Sequence, residues 1–572
     1  MSPADSDTDN GQLRVWLRIC GRDWLAPVVL LVVCLSLYLP GLFAVPPLDR
    51  DEPRFAQASK QMMESGNYVT IHYQDQARNK KPIGIYWMQV GAAKLLGYGE
   101  TAPIWVFRLP SVFGAVIAVL LSYWAARAFF AEPASFVAAL LVALALILNV
   151  EARLAKTDAV LLACVVLSQG ALARVWMAQQ KRAVWSTALL FWVGLGLGTL
   201  IKGPIILLVC GLTILFLSIW DKRISWLRGL APVTGSLLYI LIVAPWLVVV
   251  HIESDGAFFR DALGGDLWAK VGSGRQSHGA PPLTHFLAMF LIFWPIPSFF
   301  LVIFKRIRQK LNLNCYRFLL CWLIPPWIIF ELVSTKLPHY TMPMMPALAL
   351  LVGGLLVQET HKPAGLYVRY TAMFLLVLVP LAIAVGVIVG PVLLDLWPSP
   401  PAAVLCGLAV IMAVSAAHKF VRSKPLEAMP SVYASAVLMF VGFWMFAVPA
   451  LTKVWISPKL VEAVSSIAKC GSTEVASAGF NEPSFVFLQG TQTQLLSAEK
   501  AARFLAAGVQ GAALSEGTCR VALVEGRQLD RFDAEVLQLG LKTSEAPSVS
   551  GININGGKTL LVHIFYVGGA TQ

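Results

Sequence analysis

Charged residues are scarce in this 572-residue chain, at 13% of the sequence, whereas hydrophobic residues account for 57% and the mean hydropathy is +0.69. A soluble globular domain averages about 25% charged residues. This shortage excludes a soluble enzyme. Apolar runs of about 17 to 25 residues recur up to about Ala450, and each can cross a hydrocarbon core of roughly 30 Å as a helix. The sequence therefore predicts a polytopic α-helical membrane protein with about thirteen spans.

Motifs of several other protein classes are missing as well. The nine cysteines form no CxxC pair and no Cys/His cluster spaced for zinc. A thiolate-bound metal is therefore disfavoured, and no cofactor is firmly predicted. No GxxxxGKS/T phosphate loop is present, which argues against a nucleotide-driven pump. No repeat of about 20 to 50 residues is visible, although a solenoid would require one.

Basic residues mark one side of the predicted membrane domain. They recur in alternate loops, as the positive-inside rule requires for a cytoplasmic N-terminus, at Lys181 and Arg182, Asp221–Arg228, Lys305–Lys310, Lys362 with Arg369, and His418–Lys424. The formal net charge of +13 thus reports topology rather than a nucleic-acid partner. The first apolar run, 24–45, is too long for the core of a signal peptide and predicts an uncleaved anchor.

The same pattern divides the chain into domains. We expect a cytoplasmic N-terminal tail over 1–23, a transmembrane domain over 24–450 with large periplasmic loops at 46–103 and 251–283, and a periplasmic domain over 451–572. In the first loop, FAQASKQMMES has helical spacing, and Ile85–Gly99 reads as an interfacial helix.

The segment after Ala450 has a different composition. Short strand-like stretches alternate there with helical ones, which predicts a small soluble α/β domain. Its two cysteines, Cys470 and Cys519, predict either a disulfide in an oxidising compartment or two thiols buried in one core.

Basic residues also occur on the predicted outer side, where the positive-inside rule disfavours them. They lie in six separate segments, at Arg50 and Arg54; Arg78, Lys80 and Lys81; Arg153 and Lys156; Lys202; Lys270 and Arg275; and Lys336. A single cation at a helix end can snorkel to the interface without having a function. Six segments together favour a site for an anion at the membrane surface, and phosphate or pyrophosphate suits lysine and arginine.

Carboxylates are interspersed among these cations, at Asp49, Asp51, Glu52 and Asp158. A carboxylate beside cations stays ionised, so it can accept a proton or orient a lysine. Asp51 and Glu52, which precede Pro53, could instead cap a helix. Lys202 lies in a nearly unbroken apolar run, where a lone cation is expensive, so we expect it to pair with Asp51 or Asp158.

Five stretches carry a resemblance to a known family, in order and approximate spacing: LDRDEPRFAQASKQMMESGNYV, KKPIGIYW, ARLAKTDAV, IKGP and TKLPHYTMPMMPALALL. From residue 24 to about residue 360, the chain resembles the bacterial glycosyltransferases related to protein O-mannosyltransferases and to the aminoarabinose transferase that modifies lipid A. The resemblance implies a GT-C fold with a periplasmic catalytic cavity in the bacterial inner membrane. It also implies a polyprenyl-phosphate-linked sugar as donor and a lipid or glycan as acceptor.

The resemblance further implies which residues are catalytic. Asp51 aligns with the family's catalytic aspartate, and Arg54 aligns with a nearby arginine. Lys81 is the lysine of a Lys-Pro motif that contacts the donor phosphate. Asp158 and Lys202 match an electrostatic pair close to the catalytic aspartate. Stabilisation of the departing phosphate by Lys81 and Arg54 agrees with the cationic character of the outer segments.

A second set of residues is predicted to bind substrate: Glu52, Lys80, Lys270, Arg275, Lys336, His339 and Tyr340. Tyr340 matches a family aromatic near the phosphate, although His339 and Tyr340 could also be interfacial side chains. Lys80 departs from the aminoarabinose branch, where an acid commonly precedes the Lys-Pro lysine. This departure weakens a divalent metal site carried over from the family, and it weakens aminoarabinose as the sugar.

Other function classes explain less of the sequence. A transporter or lipid flippase would place binding groups near the bilayer midplane, often in inverted repeats, whereas these charges gather at one face. A receptor that binds a partner through its tail leaves the outer cations unexplained. Among enzymes, a ligase or polymerase of surface glycans is the nearest alternative.

Overall fold

The computed structural model describes residues 22–48, 51–178, 184–267, 280–357, 364–467, 472–510, 518–553 and 557–567. Most of these residues are helical. The longer helices are α1 (Ala26–Tyr38), α2 (Asp51–Ser65), α3 (Gly84–Leu95), α4 (Ile104–Ala126), α5 (Glu132–Leu144), α6 (Leu146–Glu151), α7 (Asp158–Ala178), α8 (Trp185–Lys202), α9 (Ile205–Asp221), α10 (Pro232–Glu253), α11 (Thr284–Ile292), α12 (Ile296–Lys310), α13 (Asn314–Leu332), α14 (Met345–Leu356), α15 (Leu366–Leu393), α16 (Pro400–Val421), α17 (Met429–Val441), α18 (Ile456–Ile467), α19 (Pro483–Gln489), α20 (Ala498–Gln510) and α21 (Leu529–Gln538).

Strands and short turns complete the described chain. The strands are β1 (His72–Tyr73), β2 (Gln76–Ala77), β3 (Ser472–Ala478), β4 (Gln494–Leu496), β5 (Thr518–Glu525), β6 (Ser544–Ile552) and β7 (Thr559–Val567). Short α, 3-10 or π segments lie at Gly99–Thr101, Ser225–Leu230, Ala257–Phe259, Arg260–Leu267, Pro338–Met344, Leu426–Ala428, Gly442–Ala447, Val448–Ala450 and Gly526–Gln528.

The described chain contains nine segments long and apolar enough to cross a membrane: α4, α7, α8, α10, α13, Pro338–Leu356, α15, α16 and Leu426–Ala450. The pair α11 and α12 also qualifies but is bent by 114°, and α1, α5 and α9 are apolar but shorter. The protein is therefore a multi-pass membrane protein, as predicted. The predicted number of about thirteen spans is reached only if the bent pair and the three short helices also cross.

Glycines bring two pairs of helices into backbone contact. A Cβ atom at Gly114 of α4 would lie 2.7 Å from the backbone nitrogen of Val160, in the first turn of α7. A Cβ atom at Gly84, where α3 begins, would lie 2.8 Å from the carbonyl oxygen of Leu200 near the end of α8. Only glycine allows approaches this close. They hold α4 against the start of α7, and the start of α3 against the end of α8.

The C-terminal domain is an α/β unit, as predicted. Its five-stranded sheet has the order β4-β3-β5-β7-β6, with β3 parallel to β4 and β5, and with β7 antiparallel to β5 and β6. Side chains alternate between the two faces of a strand. Ala522 of β5 packs in the cluster formed with α20 and α21, whereas its neighbour Val521 packs in the cluster formed with α18. Cys519 is disulfide-bonded, and Cys470 lies outside the described residues.

This domain rests on the helices that follow the first span. Phe487 of α19 packs edge-on against Phe107 of α4, with ring centroids 5.7 Å apart. Both rings share a buried cluster with Ala56 of α2 and Ala93 of α3. The predicted helix in the first loop is thus present as α2, held between the membrane bundle and the C-terminal domain.

Candidate functional site

Asp51 lies in the first turn of α2, and its side chain is 55% exposed. The guanidinium Nη1 of Arg54, one turn later, is 3.8 Å from its Oδ1 atom. Burial opposes ionisation of Asp51, but Lys156, Arg78, Arg54 and Lys81 outweigh it and lower the pKa of the carboxyl group. Asp51 is therefore an ionised, accessible carboxylate surrounded by four cations.

Lys156 reaches this position because the loop between α6 and α7 is fixed at several backbone groups. The Ala155 N–H donates to Oε1 of Glu52 at 3.0 Å, and the Ala155 carbonyl accepts from Nε2 of Gln89 at 3.1 Å. The Ser111 hydroxyl donates to the Lys156 carbonyl at 3.1 Å. With its backbone held from α2, α3 and α4, the loop presents Lys156 toward Asp51.

Glu52, the neighbour of Asp51, has a different environment. It is fully buried, and its two oxygens accept bonds from Nε and Nη2 of Arg108 at 2.7 and 2.9 Å. They also accept from the backbone N–H groups of Leu48 and Ala155. These four donors occupy the hydrogen-bond acceptor positions of both carboxylate oxygens. In this structure, Glu52 forms a structural ion pair rather than the substrate contact predicted from the sequence.

Arg78 enters the site from the β1–β2 hairpin. Its backbone N–H donates to the carbonyl of Ile71 at 2.7 Å, and its Nε donates to the hydroxyl of Tyr86 at 3.3 Å. Its guanidinium lies 4.9 Å from the ring centroid of Phe55, on α2. These contacts turn Arg78 toward Asp51.

A second group of charges lies where α7, α8 and the segment Pro338–Met344 meet. The ammonium of Lys202 is hydrogen-bonded to Oδ1 of Asp158, and both side chains are less than 10% exposed. The partner predicted for Lys202 is thus present. His339 lies between two acids, with Nε2 3.9 Å from Asp158 and Nδ1 3.5 Å from Oε1 of Glu151. The ring centroid of Tyr340 is 5.8 Å from Nζ of Lys202.

Two lysines connect the two groups. Lys156 lies close enough to interact electrostatically with both Asp51 and Asp158. Lys81 interacts in the same way with both Asp51 and His339. The combined site sets the cations Arg54, Arg78, Lys81, Lys156 and Lys202 against the carboxylates Asp51, Glu151 and Asp158. This excess of positive charge favours an anionic ligand.

One group of potential metal ligands occurs in the part of the chain that the structure describes. Ligand atoms of Glu151, Asp158 and His339 lie within 4.8 Å of one another. Two carboxylates and an imidazole are acceptable donors for a divalent cation. However, the Lys202 ammonium already neutralises Asp158, and Lys156 adds positive charge nearby. The charge balance fits an anion next to this group better than a metal within it.

Comparisons with known proteins agree with this arrangement. Residues 80–249 match the family described as dolichyl-phosphate-mannose-protein mannosyltransferase. The chain is 30% identical over 349 residues to undecaprenyl phosphate-alpha-4-amino-4-deoxy-L-arabinose arabinosyl transferase 1 of Pseudomonas fluorescens, an alignment that covers 59% of this chain and 60% of the relative. It is also 30% identical over 359 residues to the Pseudomonas aeruginosa transferase of the same kind, with 60% of this chain and 63% of the relative covered.

The fold comparison extends over nearly the whole chain. ArnT from Cupriavidus metallidurans, solved with bound undecaprenyl phosphate, superposes with a TM-score of 0.72 and 17% identity, over 94% of this chain and 97% of that one. Its apo structure gives a TM-score of 0.70. The chain therefore has the fold of ArnT. The sequence matches span about three fifths of the length of the Pseudomonas relatives, whereas the fold shared with ArnT spans both domains.

The five residues predicted to be catalytic come together, whereas the residues predicted to bind substrate do not all lie in the site. His339 and Tyr340 lie beside the Asp158–Lys202 pair. Lys80 is exposed. Lys336 instead donates to the carbonyls of Val333, just after α13, and Ala280, at 2.9 and 3.1 Å. The remaining candidates lie outside the described residues, namely Lys270 and Arg275, as do Asp49 and Arg50 of the opening motif.

The sequence does not predict three residues of the site. Arg78 and Lys156 belong to the predicted outer cations but not to the predicted site, and no pattern marks Glu151 as a functional acid. Arg78 stands two residues before Lys80, and Lys156 two before Asp158. Their proximity to chosen residues was a usable signal, whereas Glu151 becomes visible only when Pro338–Met344 packs against α6.

Proposed function

We propose that the protein is an integral-membrane glycosyltransferase that moves a sugar from a polyprenyl-phosphate donor to a cell-envelope acceptor such as lipid A. The reaction would take place at the periplasmic face of the bacterial inner membrane. The observation that carries this proposal is the convergence of four cations on the accessible carboxylate of Asp51. The names of the Pseudomonas relatives and the undecaprenyl phosphate bound to ArnT support the same donor class.

The chemistry of such a donor explains why cations and a carboxylate are needed together. The acceptor oxygen forms a bond to the anomeric carbon of the sugar while the bond from that carbon to a phosphate oxygen breaks, and the electron pair of the broken bond stays on the departing prenyl phosphate. Arg54, Arg78 and Lys81 would stabilise that growing negative charge. Asp51 would orient the acceptor hydroxyl and accept its proton. If the acceptor is a phosphate, it is already ionised, and Asp51 would position it instead.

The Asp158–Lys202 pair would support this step without accepting the proton. Asp158 keeps the buried ammonium of Lys202 charged, because an unpaired cation inside a membrane bundle is costly. Lys202 then contributes positive charge beside Tyr340 and His339. This positive charge would help to hold the phosphate while the sugar leaves it.

A groove in the bundle offers a place for the lipid tail. An apolar space of about 220 Å³ lies between α8 and α9, and its lining includes Phe191, Leu195, Leu207, Cys210 and Ile214. These residues lie along the two helices that flank Lys202, the last residue of α8. A prenyl chain in this groove would leave its phosphate near the cationic end of the bundle.

Transport explains this arrangement less well. A transporter places its site near the bilayer midplane, on interrupted helices. The bent pair α11 and α12 is the one interruption of this kind among the described spans. None of the residues gathered around Asp51 or Asp158 belongs to that pair, so the charged site favours an enzyme.

The test is mass spectrometry of envelope glycolipids from a deletion strain complemented with wild type, Asp51→Asn, Lys81→Ala or Asp75→Asn. Asp75 is an exposed acid at the turn of the β1–β2 hairpin and serves as the matched control for Asp51. We expect a sugar-sized mass to disappear on deletion and to return with wild type and Asp75→Asn only. Membrane levels of each variant must be equal. Full restoration by Asp51→Asn and Lys81→Ala would refute the assignment of the site.

A further inference from the structure

The hydroxyl of Tyr73 is buried but has no hydrogen-bond partner among the described residues. Buried hydroxyl groups in proteins are nearly always paired, and an exception calls for an explanation. Phenylalanine would supply the same ring without the unpaired group. The hydroxyl is therefore a candidate for contact with a ligand.

The hairpin geometry directs Tyr73 toward the charged site. Tyr73 on β1 pairs with Gln76 on β2, and Arg78 bonds across the hairpin to Ile71. Paired residues and residues two apart share one face of a hairpin. Tyr73 and Arg78 thus lie on the same face.

That face is turned toward the first turns of α2. The guanidinium of Arg78 stacks over the ring of Phe55, which follows Arg54 in sequence. Tyr73 interacts electrostatically with both Arg54 and Arg78, two of the cations that surround Asp51. The unpaired hydroxyl consequently belongs to the wall of the site.

Neighbouring contacts hold this tyrosine in place. The N–H of Gln74, the next residue, donates to Oε1 of Gln61 on α2 at 2.8 Å, and Nε2 of Gln61 donates back to the Gln74 carbonyl at 3.1 Å. The Gln74 side chain also donates to the carbonyl of Thr493, in the C-terminal domain. Because its backbone is fixed, Tyr73 cannot rotate outward to hydrogen-bond with water. Side chains held in place in this way are typical of binding sites.

The Tyr73 hydroxyl keeps its proton and can therefore donate a hydrogen bond. Burial raises the pKa of Tyr73 to about 12, although Arg54 and Arg78 act in the opposite direction, and Glu482 of the C-terminal domain adds to the rise. The hydroxyl therefore keeps its proton at every physiological pH. A neutral donor between two guanidinium groups complements an oxyanion.

We propose that the Tyr73 hydroxyl donates a hydrogen bond to a phosphate oxygen of the polyprenyl-phosphate donor, alongside Arg54 and Arg78. This inference rests on the proposed function and deepens it by naming a neutral contact to the donor phosphate. Acceptor phosphates share the same chemistry, so the test has to separate donor from acceptor.

The experiment compares full-length wild type, Tyr73→Phe and Tyr38→Phe in detergent or nanodiscs. Undecaprenyl phosphate is the binding probe, and unfolding temperatures are measured in parallel. Tyr38 is the matched control, because its fully buried hydroxyl, on α1, donates to the Ala143 carbonyl of α5 at 3.1 Å. We expect Tyr73→Phe to raise the Kd roughly ten- to a hundredfold, the range for a hydrogen bond to a charged group, with an unchanged or higher unfolding temperature. Tyr38→Phe should instead lower the unfolding temperature and leave the Kd unchanged.

Each other outcome has a definite meaning. An unchanged Kd in Tyr73→Phe, with wild type binding the probe, would overturn this inference and leave the proposed function standing. A rise confined to the KM for a phosphorylated acceptor would assign Tyr73 to the acceptor and overturn the donor contact. If wild type fails to bind undecaprenyl phosphate, the proposed function falls and takes this inference with it.

Discussion

Gln57 of α2 and Thr491 of the C-terminal domain are joined by a hydrogen bond of 2.6 Å between Nε2 and Oγ1. The same Thr491 hydroxyl donates to Oε2 of Glu64 at 2.7 Å. Gln57 and Glu64 are seven residues apart and share one face of α2. A single hydroxyl thus links the helix that begins with Asp51 to the C-terminal domain.

Thr491→Val should loosen this link without disturbing either domain. Valine has a similar shape but can make neither bond. A neutral hydrogen bond such as the one from Gln57 contributes about 1 kcal/mol, and one to a carboxylate such as Glu64 contributes somewhat more. We expect kcat to fall about two- to tenfold, with the KM for the donor little changed, since α2 would orient Asp51 less well. Thr491→Ser should restore kcat. Equal kcat in the valine variant would show that the C-terminal domain does not position α2.

The pH dependence of activity should respond to Lys156. The surrounding cations lower the pKa of Asp51, so its ionised form persists to lower pH than in an ordinary carboxyl group. Activity should be full above that pKa and should be lost as the pH falls through it. Lys156→Met removes one of the cations, which raises the pKa of Asp51 and moves the acid limb of kcat/KM to higher pH. Lys60→Met, also on the Asp51 helix, is the control and should leave the limb in place.

Glu52→Gln should destabilise the protein far more than Asp51→Asn. Arg108 is 1% exposed, and loss of its partner would leave a buried, uncompensated charge, at a cost of about 3–5 kcal/mol. Asp51 is half exposed, so its substitution should remove activity while the unfolding temperature stays within a few degrees of wild type. Thermal unfolding in detergent distinguishes the two. Similar unfolding temperatures would contradict the structural role given to Glu52.

A double-mutant cycle should reveal coupling between Asp158 and Lys202. Asp158→Asn leaves the Lys202 ammonium unpaired, and Lys202→Met leaves the Asp158 carboxylate near His339 without its main partner. Each single variant should lower kcat/KM about a hundredfold or more. The double variant should be no worse than the more damaging single one, because the interaction is shared. Additive losses would mean that the two residues act independently.

Sequence patterns predicted the broad fold and most of the residues that the structure brings together. A cation in an apolar run requires a partner, which predicted that Lys202 would pair with Asp51 or Asp158, and the lengths of the apolar runs predicted the spans. The sequence pattern does not show that Asp51 and Glu52 have different environments, because the two acids are adjacent in sequence. On a helix, adjacent side chains point about 100° apart, so one meets the open site and the other meets Arg108.

The remaining site residues depend on long-range packing. Lys156 faces Asp51 only because Glu52, Gln89 and Ser111 fix its loop. The Tyr73 hydroxyl is buried without a hydrogen-bond partner among the described residues because of the way its hairpin packs on α2. Local sequence carries no record of such tertiary contacts, and a short hairpin with two-residue strands gives almost no periodic signal.

Gly84 sets the width of the site. Its Cα packs directly on the carbonyl of Leu200, so two peptide planes touch within three residues of Lys81 and two of Lys202. The distance between the main chains that carry Lys81 and Lys202 is therefore set by contact between backbone atoms, and a change of side-chain rotamer does not alter it. Any residue larger than glycine at position 84 would push these two lysine-bearing segments apart.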